Sequence, residues 1–456
     1  MPLFQKIAYR NMLSYFIKRS AFIGALLYLV FLFKTSESFQ PLYFYHIVVF
    51  LSYVWILYYH LNQRNKNFYS GSRLSYTVFF VSFIFVALNN FTSLIYNNNM
   101  FVFSEADALS YHFVSIRMAD LPFFDALEYV LSILSFEDIG APLVISTLYR
   151  VVESNITLNF FYVITNVFAA KAIYRINLNF MTPKYAFVCA LSYSLSSFVL
   201  WFHSSGLKES FLCFLVILFF DRYYLYLKRK HISEVVYASI FISGLLLFRP
   251  ALIFFGIASV SMGIFLQKRK GTTSAVVIFL AFIAVVGSSS LIESTYDKFL
   301  MGGDLERLVL AKESMVKVSL PFTIIVNFIA QVIGPLPTIS PDTKEILSFF
   351  SPGLIGKVLL SFIFWIGVYH IIKFKAEKLY PLVFFALMEM ASLLIILEGL
   401  ELRKSLPHFF CIYTVSFWFM DRYDLTKFFT KRRQFKLALK FSAALTFCMI
   451  LVWNFR

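Results

Sequence analysis

The chain has 456 residues, 59% of them hydrophobic and 14% charged, where a soluble domain carries about half apolar and about a quarter charged residues. A mean hydropathy of +0.74 and apolar runs recurring almost end to end exclude a water-soluble globule and point to a polytopic membrane protein. Fifty-eight Phe and 27 Tyr exclude disorder, four Cys inside apolar runs suggest neither a bridge nor a metal site, and a net charge of +16 dealt out between spans excludes nucleic acid as a partner.

Lys6, Arg10, Lys18 and Arg19 precede an apolar run over 21–33 that no small-residue cleavage site follows. This reads as a cytoplasmic amphipathic leader over 1–19 and a retained first helix. Further spans are expected at 43–60, 76–95, 157–174, 185–203, 210–227, 234–248, 250–266, 274–292, 353–372, 379–397, 406–420 and 437–453. Each is close to the length that about 30 Å of hydrocarbon requires. The expectation is an all-α fold, one transmembrane domain over 1–456 with about thirteen helices. With the N-terminus inside, cytoplasmic segments hold 27 of the 41 Lys and Arg but only 5 of the 25 acids, with 19 acids outside and Glu389 in mid-span. That is the positive-inside asymmetry, and it sets the orientation.

Residues 321–352 are apolar but broken by Pro335, Pro337, Pro341 and Pro352. A re-entrant or interfacial hairpin on the outer side is the simpler reading, with two short crossings as the alternative. The long loops, 96–156 and 293–352, then both lie outside. Cytoplasmic loops are shorter and carry no nucleotide-binding signature, so chemistry is expected at the outer face. No internal repeat and no matching pair of Gly/Pro-broken helices is found, which weakens a transporter reading.

The first outer loop is rich in acids, among them Glu105, Asp107 and Asp138, against only Arg117 and Arg150. Asp107, Tyr111 and Val114 recur at i, i+4 and i+7, the spacing of one face of a surface helix that starts at Asp107. A carboxylate half desolvated there is placed to accept a proton from a hydroxyl, with a helix cap as the plainer role. Next along the chain, His203, Lys208 and Glu209 stand at the outer mouth between two spans; Lys208 and Glu209 are adjacent, so each needs its own partner. Arg249, in Phe-Arg-Pro, ends a short apolar run with no acid near it in sequence, and a planar guanidinium there suits phosphate oxygens. Arg307 and Lys312 add bases in the second outer loop. Arg403, Lys404 and His408 cluster at the start of the next-to-last span. Cations from distant segments facing a carboxylate-rich loop are the layout needed to hold a departing lipid phosphate while a base activates the attacking hydroxyl. The expected anion binders are thus Arg249, Arg403, Lys208 and Arg307, with Tyr111, His112, His203, Glu209 and His408 touching the acceptor or sugar. No cofactor is called for, and a divalent metal is left open.

Several short elements carry a resemblance: Asp-Ala-x-x-Tyr at 107–111, the stretch from Glu137 to Arg150, Ser-Ser-x-x-Lys-Glu at 204–209, Arg-Pro at 249–250, Gly-Pro-Leu-Pro at 334–337 and Arg-x-x-x-Pro at 403–407. Over roughly 100–410 the chain resembles the C superfamily (GT-C) of membrane glycosyltransferases and the related bacterial polysaccharide repeat-unit polymerases. The resemblance implies an all-helical enzyme of the bacterial cytoplasmic (inner) membrane that moves a sugar or oligosaccharide from a polyprenyl-(pyro)phosphate donor to a saccharide or lipid-linked saccharide acceptor. Such proteins assemble O-antigen, capsule or exopolysaccharide, alongside membrane lipids and other assembly proteins. By that likeness Asp107 is the base, with Glu105 as the alternative and Asp138 third, and Arg249 and Arg403 bind the donor phosphate. Two departures stand out. The first-loop acids are split as Glu105 and Asp107 where many members have a paired Asp-Glu, and Arg307 and Arg403 meet Val318 and Thr414 where some polymerases have an Arg-x10-Gly signature. Single-sugar transferase and polymerase both remain open, and the rival class is a transporter or flippase of lipid-linked saccharide, which predicts charges buried in mid-span.

The charge asymmetry makes the first prediction. Reporter fusions placed after Lys230 and after Lys270 should read as cytoplasmic. An extracytoplasmic signal from both would invert the orientation.

Overall fold

The computed structural model describes residues 40–63, 68–97, 107–266, 320–337, 346–395 and 402–422, with five isolated positions between 444 and 451. Among the described residues there is no strand. Helices α1 (Gln40–Asn62) and α2 (Gly71–Asn97) come first, followed by three short ones, α3 (Asp107–Ala119), α4 (Phe123–Ile133) and α5 (Gly140–Tyr149). Then come α6 (Asn155–Asn177), α7 (Pro183–Ser194), α8 (Ser197–Ser205), α9 (Glu209–Arg229), α10 (Ile232–Gly244) and α11 (Ala251–Leu266). The last four are α12 (Leu320–Val332), α13 (Ile346–Lys373), α14 (Tyr380–Ile395) and α15 (Leu402–Arg422).

The expected spans that fall on described residues are helical, while 21–33 and 274–292 lie outside them and 437–453 almost wholly so. Four described helices, α2, α6, α9 and α13, are long and apolar enough to cross a membrane, and α7 with α8 makes a fifth if that bent pair is one span. This is consistent with a helical, multi-pass membrane protein. Among the described residues the count stays below that expected, because α10, α11 and the described apolar stretch of α1 are shorter and α15 carries Arg403, Lys404, Asp421 and Arg422. The single span expected at 185–203 is two helices bent by 46°. The break falls at Leu195 and Ser196, where the Ser196 hydroxyl bonds the Tyr193 carbonyl at 2.6 Å and competes with the helical ladder.

One hydrophobic core runs through the bundle, and α15 is its axis, buried from Leu402 to Met420 apart from Arg403 and Lys404. Between apolar helices, polar side chains fix the register. Asn166 donates to the Ser82 hydroxyl and to the Ser194 carbonyl, each at 3.0 Å, and Asn89 donates to the Ser204 hydroxyl at 3.0 Å. Ser416 donates to the Leu360 carbonyl at 2.9 Å. Contacts of this kind contribute about 0.6 kcal/mol each on average inside a membrane, so they choose alignment more than they supply stability.

The ends of the helices sort into two groups. At one end the α6–α7 and α14–α15 termini meet through Thr182, whose N–H and hydroxyl bond Asp421 at 2.7 and 2.9 Å. Tyr224 donates to the Lys378 carbonyl at 2.7 Å, and Arg175 grips both oxygens of Asp221. These are loops that the charge pattern assigns to a single side. At the opposite end, α3, α4 and α5 build a small core of their own from Val114, Met118, Ala126, Val130 and Ile139. A helix does start at Asp107, and on the face shared by Asp107, Tyr111 and Val114 the last two are buried while Asp107 stays partly exposed.

Of the stretch expected to form a hairpin, residues 320–337 and the start of α13 are described. Helix α12 ends against the middle of α13, where Trp365 donates to the Val332 carbonyl at 2.8 Å and Lys357 donates to the Ile333 and Gly334 carbonyls. The unpaired carbonyls of that helix end thus find donors inside the bundle. Helix α13 starts at Ile346 and continues through Pro352, where the sequence suggested a break.

Close approach between α13 and α8 rests on Gly353, whose N–H donates to the Ser197 hydroxyl at 2.7 Å. A methyl group there would sit 2.8 Å from a Phe198 ring carbon and 2.9 Å from the Ser197 nitrogen. Gly353→Ala should therefore lower stability by about 1–3 kcal/mol, as overpacking does. Gly356, in the same helix, has nothing within 4 Å of that position, so Gly356→Ala should be neutral or stabilising. Thermal unfolding of both variants in lipid nanodiscs reads the difference, and equal melting temperatures would contradict the packing.

Candidate functional site

The site lies where α3 to α5 cap the bundle, and a left-handed turn builds its centre. Gly206 (φ 76°) ends α8 and faces Leu158, Asn155 and Ala108, so the chain can reverse into α9 without a side chain in the way. That reversal delivers Lys208 and Glu209 to the cap. Lys208 forms an ion pair with Asp138 and also donates to the Phe248 carbonyl at 3.3 Å. Gly140, at the start of α5, seats against the same segment: a Cβ there would stand 2.6 Å from the Leu247 carbonyl oxygen. The cap, the 245–248 turn and the first turn of α9 therefore hold one another.

Arg403, in the first turn of α15, forms an ion pair with Asp107, in the first turn of α3. Arg249 follows the 245–248 turn and donates to the Lys404 carbonyl at 3.1 Å. Segments near 107, 138, 208, 249 and 403 thus meet at one end of the bundle. Tyr111 of α3 is buried, its hydroxyl held above the ordinary tyrosine range by burial first and then by the negative charges of Asp138, Glu209 and Asp107, with Arg403 opposing. Three carboxylates and a guanidinium therefore bear on one hydroxyl.

Open space for an anion was expected between the acids and the cations. They instead meet directly, as pairs. The Asp107 and Arg403 side chains are 44% and 42% exposed. A pair so exposed contributes about 0–1 kcal/mol, so a phosphate with better geometry can replace the carboxylate on Arg403.

Not every expected residue joins this centre. His112 turns to α5, its Nδ1 2.8 Å from the Tyr149 hydroxyl, and burial holds its imidazole below the ordinary range with Glu153 opposing. Arg150 is occupied in closing the end of α3, donating to the Leu121 carbonyl at 2.7 Å. His203 sits deeper, its Nδ1 2.5 Å from the Val199 carbonyl, on the wall of a small cavity of about 10 Å³ with Thr165, Asn166, Tyr193, Ser210 and Cys213. His408 was grouped with Arg403 and Lys404. It lies instead in the core, 1% exposed, its Nδ1 3.3 Å from a carboxylate oxygen of Glu389, because one further turn of α15 carries it below the cap. Glu105, Arg307 and Lys312 lie outside the described residues.

Lys357 escaped the sequence reading. Its side chain is wholly buried in α13, donates to the end of α12 and stands 4.5 Å from the centroid of the Phe409 ring. A lysine inside an apolar run was the available signal. Glu389, legible as a mid-span acid, acquires its histidine only through folding. Among the described residues no group of three or more His, Cys, Asp and Glu is arranged to hold a metal ion. Comparison with protein-family models, with curated proteins and with solved structures found no match.

Proposed function

We propose that the protein transfers a sugar or oligosaccharide from a polyprenyl-(pyro)phosphate donor to an acceptor hydroxyl at the outer face of a bacterial cytoplasmic membrane, in the assembly of a surface polysaccharide. The observation that supports it is the meeting of Arg403, Arg249 and Lys208 with Asp107, Asp138 and Glu209 around Tyr111 at one end of an apolar helical bundle. Phosphate departure needs cations aimed at the developing negative charge, and the acceptor needs a carboxylate within reach of its hydroxyl. The bundle supplies apolar walls for the polyprenyl chain. In this reading Arg403 and Arg249 hold the donor phosphate and the acids around Tyr111 handle the acceptor. Single-sugar transfer and repeat-unit polymerisation share this chemistry.

A second reading, transport of a lipid-linked saccharide, is favoured by one observation. Lys357, Glu389 and His408, on three different helices, are each no more than 2% exposed. Ionisable groups buried within spans mark transport pathways as well as structural networks. Flipping without bond cleavage, measured with labelled lipid-linked saccharide in proteoliposomes, separates it from transfer.

Replacing Arg403 or Arg249 with Ala should weaken polyprenyl phosphate binding by about ten- to a hundredfold, since a charge-assisted contact contributes about 1.5–3 kcal/mol. Lys at either position keeps the charge and loses the fork, so it should restore affinity only in part. Binding to the folded variants in nanodiscs decides the matter, and unchanged affinity in both Ala variants would remove them from the donor site.

A further inference from the structure

Three carboxylates bear on the Tyr111 hydroxyl, and two of them are already committed. Asp107 is bound by Arg403; Asp138 is bound by Lys208 and accepts a second bond from the Ser135 hydroxyl at 2.9 Å. Glu209 differs. It is 2% exposed, forms no ion pair among the described residues, and its Oε2 is buried without any hydrogen-bond partner. A buried carboxylate oxygen left without a donor is costly to the fold, so such an atom calls for an explanation in function. The charge sits in the first turn of α9, where a negative group is favoured, and the Gly206 turn fixes it beneath the cap.

Taking the transfer reading as its basis, we infer that Glu209, rather than Asp107, accepts the proton of the incoming hydroxyl, and that Asp107 keeps Arg403 in position until the donor phosphate takes it over. A base must offer a free lone pair to the proton it removes. Asp107 has one oxygen engaged by a guanidinium, which lowers its pull on a proton; Glu209 has a buried oxygen that nothing engages. In the step itself the acceptor O–H bond breaks, its proton passes to the Glu209 carboxylate, and the oxygen forms a bond to the anomeric carbon. The bond from that carbon to the phosphate oxygen breaks, and its electron pair leaves with the polyprenyl (pyro)phosphate. Arg403, freed from Asp107, and Arg249 meet that charge. Glu209 then returns its proton to water. The groups whose electrostatics register Glu209 are Tyr111 of α3, Tyr162 of α6 and Cys213 one turn along α9, with Asp138, Asp107 and Arg403 around the same tyrosine.

The test uses the full-length protein in nanodiscs with a polyprenyl-pyrophosphate-linked saccharide as donor, and measures kcat, KM and their pH dependence alongside polyprenyl phosphate binding and thermal unfolding. Glu209→Gln should lower kcat at least a hundredfold and abolish the acid limb of the rate profile, while binding polyprenyl phosphate as the wild type does. Glu209→Asp, which keeps the carboxylate but shortens its reach, should retain the acid limb at reduced kcat, and it carries the test if Glu209→Gln does not fold. Asp107→Asn should act on donor binding and KM, with kcat falling less than tenfold. A Glu209→Gln enzyme within tenfold of wild-type kcat that retains its acid limb, or an Asp107→Asn enzyme that loses both, would assign the base to Asp107 and overturn the inference. If the wild type binds the donor and transfers nothing, the transfer reading itself fails and the base assignment with it.

Discussion

Arg403 and Asp107, 296 residues apart in sequence, form the contact that joins the start of the last described helix to the cap. Helix α15 is the axis of the hydrophobic core, and its first turn is where that axis reaches the cap. The pair joins that turn to the start of α3, the helix whose buried Tyr111 feels the negative charges of Asp138, Glu209 and Asp107. The Lys208 and Asp138 pair makes the second attachment, close to the Arg249 segment. Both attachments are ionic and partly open to solvent, whereas the helices below are held by apolar packing. A weak, charged seam over a rigid apolar bundle is suited to exchange its partners for those of a phosphate.

Charge is distributed in two populations that behave differently. At the cap, Arg403 with Asp107 and Lys208 with Asp138 are paired and partly within reach of solvent. Deeper in the bundle, Lys357, Glu389 and His408 are cut off from it: Lys357 is met by helix-end carbonyls and an aromatic ring, while His408 Nδ1 stands 3.3 Å from a Glu389 oxygen without a hydrogen bond between them. The same burial gives the transport reading its support. The two readings therefore place their key charges at different depths of one bundle.

Much of this was legible in the sequence because apolar periodicity and length govern helices in a membrane. The described spans fall where hydrophobic runs predicted them, and the placing of Asp107, Tyr111 and Val114 on one helix face follows from helical spacing alone. What the sequence could not convey was pairing. Nothing in the spacing tells Arg403 that its acid is Asp107, nor Lys208 that its acid is Asp138, because these contacts close through space. The bend between α7 and α8 is marked by neither Pro nor Gly, only by serines whose hydroxyls compete with the backbone. His408 shows the limit of grouping by proximity in sequence: five residues beyond Arg403 along one helix is enough to pass from the cap into the core.

The central claim is that a lipid phosphate competes with Asp107 for Arg403. It is tested most directly by a cryo-electron microscopy structure of the full-length protein in nanodiscs with polyprenyl phosphate bound. The account predicts the phosphate within hydrogen-bond distance of the Arg403 and Arg249 guanidinium groups, with Asp107 released and Glu209 facing the vacated space near Tyr111. Phosphate bound elsewhere, with the Asp107 and Arg403 pair intact, would contradict it.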